Sequence, residues 1–224
     1  PGHGGDESGA AAYGIVERDS NLDMAQRVAT HLKAAGVQVY LTREDSGRAT
    51  GLVTSPGDTR AAQRADLQAR TAAANRVGAD IFVSLHSNGS SDGSLRGVEA
   101  YYDSRRPYAD DSRRLARAIV DGALAGMTNA GHPSVDRGVI DAACWRNNQG
   151  RCIGLFVLSP GGATTQRDGT PGPVKEPTNM PAALLETLFV SNPQDAALLA
   201  DPNVRAHVAR GIADGILRYL GVPA

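Results

Sequence analysis

The sequence has 224 residues, of which 41% are hydrophobic, and its formal net charge is -1. This length suits a single α/β domain with a sizeable core. The near-neutral charge gives no support for nucleic acid or an anionic membrane as the partner. No apolar run approaches the roughly 18 residues that a membrane-spanning helix needs. The 26 glycines and 12 prolines predict many loops.

The chain has two cysteines, Cys144 and Cys152, which are close together in a polar segment. A pair that closes a short loop fits a disulfide in an oxidising compartment. Two reduced thiols are the alternative. A structural metal site is disfavoured, because there is no further cysteine to complete one.

Helical and extended patterns alternate through the first part of the chain. Apolar residues spaced by three and four predict a helix over residues 21–35, and residues 37–42 alternate like a strand. Residues 60–77 are rich in alanine and predict a second helix, whose arginines we expect to form a solvated face. Residues 79–85 form a continuous apolar run, typical of a buried strand, and this strand leads to His86. Loops are predicted at residues 6–16 and 46–59.

The second part continues this alternation, which is typical of parallel α/β layering. Strands are predicted at residues 97–102, 134–141 and 182–190, and helices at residues 108–127 and 203–220, with a short helix beginning at Ser191-Asn192-Pro193. Residues 153–158 are apolar. Residues 159–179 are rich in Gly, Pro and Thr and are predicted as a long exposed loop.

Four ionisable residues lie at strand ends or in glycine-rich loops: His3, Glu17, His86 and Glu186. Two histidines and a carboxylate are a common set of zinc ligands, and a second carboxylate can transfer protons in such a site. Plainer roles stay open. His3 could cap a turn, His86 could be a hydrogen-bonded core histidine, and Glu17 could be an ordinary acid at a helix N-terminus.

Glu186 differs from these three, because it lies inside an apolar run, Leu184 to Phe189. A carboxylate buried there needs a cation, a metal or a function. The residues alone therefore indicate a zinc hydrolase, without a substrate.

Six sequence blocks in order resemble the zinc-dependent N-acetylmuramoyl-L-alanine amidases of the Amidase_3 type, over nearly the whole chain. The blocks are Pro1-Gly2-His3-Gly4-Gly5; Glu17 with Asn21-Leu22-Asp23-Met24-Ala25; Thr42-Arg43-Glu44-Asp45 with Ala74-Asn75; residues 79–88; residues 97–102; and residues 179–192.

The resemblance implies an α/β fold of three layers, with a mostly parallel central sheet flanked by helices, in a single catalytic domain over residues 1–224. It implies one Zn²⁺ per chain held by His3, Glu17 and His86, with Glu186 as the catalytic carboxylate. The implied reaction is hydrolysis of the amide between the lactyl group of N-acetylmuramic acid and L-alanine in peptidoglycan.

The resemblance also implies an extracytoplasmic enzyme, whether secreted, periplasmic or associated with the cell wall, although no signal peptide stands in the sequence. It further implies a strand upstream of Pro1. We expect a monomer with peptidoglycan or a muropeptide as its partner.

The sequence departs from the family pattern in two ways. Thr187 and Leu188 stand where the family more often has a small residue followed by glycine, and the cysteine segment and residues 159–179 are unusual insertions. Two other functions therefore stay open: a zinc peptidase that acts on stem peptides, and a non-catalytic wall-binding relative.

Overall fold

The computed structural model describes residues 1–49, 59–144, 154–165 and 171–223. The α-helices are α1 (Glu17–Ala34), α2 (Thr59–Arg76), α3 (Ala109–Asn129), α4 (Pro193–Ala200) and α5 (Pro202–Leu220). The strands are β1 (Ala11–Ala12), β2 (Ile15–Val16), β3 (Phe82–Asn88), β4 (Val98–Tyr102), β5 (Asp136–Asp141), β6 (Gly162–Thr165), β7 (Pro171–Lys175) and β8 (Ala182–Phe189). Within these ranges, no helix is both long enough and apolar enough to cross a membrane.

The central sheet has four strands in the order β3-β8-β4-β5. β3 pairs with β8 in parallel and β4 pairs with β5 in parallel, whereas β4 runs antiparallel to β8. The predicted α/β fold with a mostly parallel sheet is therefore confirmed, with one antiparallel pairing at its centre.

The two faces of the sheet carry separate apolar clusters. One face, which includes Leu85, Ala100 and Leu185, packs against α1, α3 and α5 in the larger core. The other face packs Tyr101 and Leu184 with the C-terminal part of α2 and with residues 155–158. Since side chains alternate along a strand, His86, Glu186 and Glu99 belong to this second face.

The strand predicted at residues 37–42 is wrong. This segment is not assigned to any strand, although it lies beside β3 and both line a cavity of about 830 Å³. A strand needs a hydrogen-bonded neighbour, and residues 37–42 belong to none of the sheets formed by the described residues. Val37, Val39 and Leu41 still pack at the edge of the larger core, which explains the alternating pattern.

Three loop predictions have different outcomes. Residues 6–16 contain the small antiparallel hairpin β1-β2, and residues 159–179 contain the antiparallel pair β6-β7, so both predictions are wrong in part. Short two-residue strands give almost no periodic signal, which explains the first miss. Most of the loop predicted at residues 46–59 lies outside the described residues.

Two buried cations anchor the segment around β6 and β7. Arg106 donates hydrogen bonds to Thr178 Oγ1 (2.8 Å) and to the carbonyl oxygen of Leu158 (3.2 Å). Lys175 donates to Ser159 Oγ (2.7 Å), lies 4.9 Å from the centroid of the Phe156 ring, and has a pKa lowered to about 8, chiefly by burial and also by the charge of Arg106. This part of the insertion is therefore fixed to the sheet rather than freely exposed.

Cys144 ends a 3-10 turn that follows β5, and it is disulfide-bonded. Cys152, the other cysteine of the chain, lies outside the described residues.

Leu188 has a left-handed backbone, with φ of 65°, at an irregularity in β8. His86 pairs with Glu186, but Asn88 pairs with Phe189, so β8 contains one extra residue at this point. The extra residue places Glu186 and Phe189 on the same face.

A left-handed residue other than glycine costs about 1–2 kcal/mol, whereas burying a leucine contributes about 1.5–3 kcal/mol. Leu188 is 1% exposed, so burial of its side chain offsets the backbone strain.

We predict that Leu188→Gly is more stable than Leu188→Ala, by up to ~1 kcal/mol. Both variants lose the same buried side chain, but only glycine relieves the left-handed strain. Leu185 is fully buried without a positive φ, and there the order should reverse, with alanine more stable by about 0.5–1 kcal/mol. Chemical denaturation of the four variants measures both differences. If the Gly and Ala variants have the same order of stability at both positions, Leu188 is not strained.

Candidate metal and catalytic site

The structure brings His3, Glu17 and His86 together. Glu17 Oε1 lies 3.0 Å from His3 Nε2 and 3.0 Å from His86 Nδ1. One potential ligand atom from each residue lies within 4.8 Å of the others, the only such trio found among the described residues. The three residues are far apart in sequence but converge from the first loop, the first turn of α1 and strand β3.

Glycines let the backbone come close to these side chains. A Cβ atom at Gly2 would collide with the imidazole ring of His86, and one at Gly9 would collide with His3 and the carboxylate of Glu17. Gly9 also has a φ of 68°, which favours glycine. The glycine-rich opening of the chain therefore supplies the space in which two imidazoles and a carboxylate meet.

Two buried arginines hold the loop that carries His3. Arg43 is fully buried, and its guanidinium donates to the carbonyl oxygens of Gly2 (2.8 Å), His3 (2.8 Å) and Arg18 (2.6 Å). Arg70 donates to the carbonyl oxygen of His3 (2.6 Å) and is also paired with a carboxylate on its own helix. The loop is thus fixed through its backbone.

The prediction that the arginines of α2 form a solvated face is wrong for Arg70, which is 3% exposed. The sequence held only an ambiguous signal for this, since Asp66 lies four residues before Arg70 on the same helix and pairs with it. Asp66 Oδ1 also accepts a hydrogen bond from the backbone of Ala49. This spacing is common on exposed helices too, so it could not reveal the burial.

Glu17 is 5% exposed and is held in its ionised form. Burial alone would raise its pKa, but hydrogen bonds and charge from His3 and His86 lower the pKa below its usual range. Burial lowers the pKa of His86, which favours the neutral imidazole that binds metals. Glu17 therefore offers an ionised carboxylate and His86 a neutral imidazole, which are the protonation states that metal binding requires.

Glu186 lies on the strand next to His86, directly across from it in the register. Its Oε2 atom is buried and has no hydrogen-bond partner within the described ranges. Burial, then the charges of Glu17 and Glu99, raise the pKa of Glu186 well above its ordinary value. A carboxylate with a raised pKa holds a proton at pH values where an ordinary carboxylate is ionised, and its buried Oε2 can take part in proton transfer.

A third carboxylate, Glu99, lies on β4 across from Glu186. Its Oε1 accepts hydrogen bonds from Tyr101 (2.6 Å) and Asn88 (2.7 Å), and its Oε2 accepts one from Arg137 Nε (2.6 Å). This cluster was not predicted from the sequence. Glu99 and Tyr101 alternate as strand residues should, and nothing in that pattern distinguishes a buried acid from an exposed one.

The model of the Amidase_3 family, described as N-acetylmuramoyl-L-alanine amidase, matches residues 1–218. The chain belongs to this family of hydrolases. Similar solved structures agree with this assignment. The CwlD amidase of Clostridioides difficile, solved in complex with the GerS lipoprotein, is 25% identical with a TM-score of 0.74, and the match covers 99% of this chain and 96% of that one.

The catalytic domain of CwlV, the N-acetylmuramoyl-L-alanine amidase of Bacillus (Paenibacillus) polymyxa var. colistinus, is 30% identical with a TM-score of 0.67, and the match covers 99% of this chain and 96% of that one. Among curated relatives, the amidase LytC of Bacillus subtilis is 31% identical over 98% of this chain. The match spans only 34% of the length of LytC. The similarity to LytC therefore concerns one part of that larger amidase.

We predict that Glu186→Gln stabilises the metal-free protein at neutral pH. The native chain binds the Glu186 proton more tightly than the unfolded chain does. Wild-type stability relative to the variant is therefore greatest below the unfolded pKa of about 4.3, and it falls as pH rises towards the native pKa. The variant's advantage should grow by about 1.4 kcal/mol per pH unit over that window. Denaturation of chelator-treated protein between pH 4 and pH 7.5 measures it.

Glu99→Gln is the matched control, since it removes a buried carboxylate that has partners. This variant should be less stable than wild type at pH 7, because it leaves the partly buried Arg137 without its counter-ion. A Glu186→Gln variant that loses stability at pH 7 in the same way would show that Glu186 is paired in solution.

Proposed function

We propose that the chain is a zinc-dependent amidase that hydrolyses the amide between the lactyl group of N-acetylmuramic acid and L-alanine in peptidoglycan. One observation carries this proposal: His3, Glu17 and His86 converge beside the unpaired carboxylate of Glu186 in a member of this amidase family. Residues 1–224 would act as a single catalytic domain in remodelling or lysis of the cell wall.

The three converging residues fit Zn²⁺ in chemical type and in number. Imidazole nitrogens and a carboxylate oxygen are usual zinc ligands, and catalytic zinc sites keep three protein ligands with a fourth position open. The close approach of Glu17 Oε1 to both imidazoles also fits zinc. A cation shared by these three residues would be bound by the carboxylate oxygen and by one nitrogen of each ring. His3 Nδ1 lies 3.6 Å from Glu7 Oε1, so a carboxylate is available to orient the ring.

Zinc bound there would supply a Lewis acid that polarises the scissile carbonyl and lowers the pKa of water. Glu186 is placed to accept the proton of the attacking water and to deliver it to the nitrogen of the leaving L-alanine. Its raised pKa favours the second transfer, and its unpartnered Oε2 is free for the first. Hydrogen bonds and burial keep Glu17 ionised, so the two carboxylates have different roles because their surroundings differ.

An extracytoplasmic location follows from this substrate and is part of the proposal. The disulfide at Cys144 fits an oxidising compartment.

Digestion of purified peptidoglycan, with and without a chelator, tests the proposal. We expect the wild-type protein to release intact stem peptides with a free L-alanine amine, and the chelator to abolish their release until zinc is restored. Mass analysis of the fragments identifies the cleaved bond. A stem-peptide peptidase would instead leave L-alanine on the sugar, and a non-catalytic relative would release nothing; either outcome contradicts the proposal.

Variants separate the metal ligands from the proton carrier. His3→Ala should lose bound zinc, measured as metal per chain, whereas Glu186→Gln should retain zinc and lose about 10²- to 10⁴-fold in turnover. Glu176→Gln is the control, since that carboxylate is exposed beyond β7 and should leave both quantities unchanged. Retained turnover in Glu186→Gln would remove Glu186 from the mechanism.

A further inference from the structure

Polar side chains cross the catalytic face of the sheet in one row. His86 on β3 lies across from Glu186 on β8, which lies across from Glu99 on β4, and Glu99 lies across from Gly138 on β5. Arg137 immediately precedes Gly138 and its side chain reaches back to Glu99. The row therefore begins at a candidate metal ligand and ends at a guanidinium.

Arg137 is held in place but is still accessible. Its Nε donates to Glu99 Oε2 at 2.6 Å, its guanidinium lies 5.1 Å from the centroid of the Phe189 ring, and its side chain is 29% exposed. No other hydrogen bond is formed by its guanidinium within the described part of the chain. Its two terminal nitrogens therefore remain available, as the planar fork that binds a carboxylate in a bidentate manner.

The anionic part of the substrate lies on only one side of the scissile bond. The lactyl carboxyl is consumed in the amide itself, and the sugar is N-acetylated and uncharged, so free carboxylates occur only on the peptide. A fixed cation on the catalytic face accordingly indicates where the peptide lies.

The distances agree with a peptide that runs from Glu186 towards Arg137. The backbone of Arg137 is two strand spacings from that of Glu186, about 10 Å, and its side chain reaches back to Glu99, whose strand is one spacing of about 5 Å from Glu186. An extended peptide advances about 3.3–3.6 Å per residue, so a carboxylate on the second or third residue after the scissile amide reaches the guanidinium.

A cavity of about 530 Å³ adjoins His3 and Glu17, and Arg137 is not among its described lining residues. Neutral groups, including the hydroxyls of Ser90, Ser91 and Ser191, form most of the described lining, and it contains no lysine or arginine. A cavity without a cation suits the uncharged sugar. The peptide would then lie on the side of the site that contains Arg137.

We infer that Arg137 is a substrate-binding residue that recognises a carboxylate on the second or third residue of the stem peptide. The inference rests on the proposed function and adds the direction of the substrate and one determinant of specificity. Glu99, Tyr101, Asn88 and Phe189 act as positioning residues for the guanidinium.

The test compares soluble muropeptides released from peptidoglycan by a muramidase, with their carboxylates either free or converted to amides. For wild-type enzyme, amidation should lower kcat/KM by about 10- to 100-fold, mainly through KM, because a charge-assisted pair is lost. Arg137→Gln should lose a similar factor on the free substrate and little more on the amidated one. Arg137→Lys keeps the charge without the planar fork. Its kcat/KM on the free substrate should therefore lie between the values for wild type and for Arg137→Gln.

Arg105→Gln is the matched control. Arg105 also pairs with a buried carboxylate, Asp103, but it lies just beyond the opposite end of β4. This variant should retain the full effect of amidation. Thermal unfolding of all variants, compared with wild type, shows whether any loss reflects stability.

Two results would overturn the inference. Wild-type kcat/KM could be unchanged by amidation, or Arg137→Gln could lose the same factor on both substrates, as a purely structural residue would. If wild-type enzyme cleaves neither substrate nor whole peptidoglycan, the proposed function fails instead.

Discussion

The buried carboxylate of Glu17 is the point at which three parts of the chain become one site. Its Oε1 lies within hydrogen-bond distance of His3, His86 and the backbone nitrogen of Ser87, and its Oε2 accepts from the backbone of Ala10. A charge removed from water must find partners, and these come from the first loop and from β3. The partners of this one side chain therefore tie the first turn of α1 to the first loop and to β3, where the two histidines lie.

Three carboxylates, Glu17, Glu186 and Glu99, lie close together, and each is balanced differently. Glu17 has two imidazoles, and Glu99 has a guanidinium, a phenol and an amide. Glu186 feels the charge of both of these carboxylates, and one of its oxygens has no hydrogen-bond partner among the described residues. The arrangement concentrates the electrostatic cost on Glu186, the residue proposed to transfer the proton, and at such a site function and stability conflict.

Much of the fold could be predicted from periodicity, because helices such as α1 and α5 bury one face and strands such as β8 are apolar apart from Glu186 and Thr187. The segment at residues 37–42 shows the limit. Its alternation reports burial of one face, but pairing depends on a neighbour that the local sequence does not contain. The strand predicted at residues 79–85 is Phe82–Asn88 in the structure, so His86 lies inside a strand rather than after it.

His3, His86 and Glu186 could be found from sequence because of their places in a glycine-rich loop, at the end of an apolar run and inside one, whereas Glu17 by itself fits an ordinary acid at a helix N-terminus and is identified through the family resemblance. Arg70 and Glu99 could not be found from sequence, since an arginine on an alanine-rich helix and an acid in an alternating strand follow their patterns. Only the tertiary structure shows that Arg70 is buried and that Glu99 has three partners. Leu188 lies between these cases, since a leucine where the family more often has glycine marked an unusual position without revealing its left-handed backbone.

The loop that carries His3 is held by Arg43 and Arg70 through carbonyl oxygens, not through side chains. Every residue type has a carbonyl oxygen, so this attachment does not depend on which amino acids the loop contains. The side chains of Asp6 and Ser8 can thus diverge during evolution while the path of the backbone is kept, whereas a Cβ atom at Gly4 or Gly5 would meet Gly47 or Arg48. The rim of the site can accordingly change its chemistry from one lineage to another without moving the histidine beneath it.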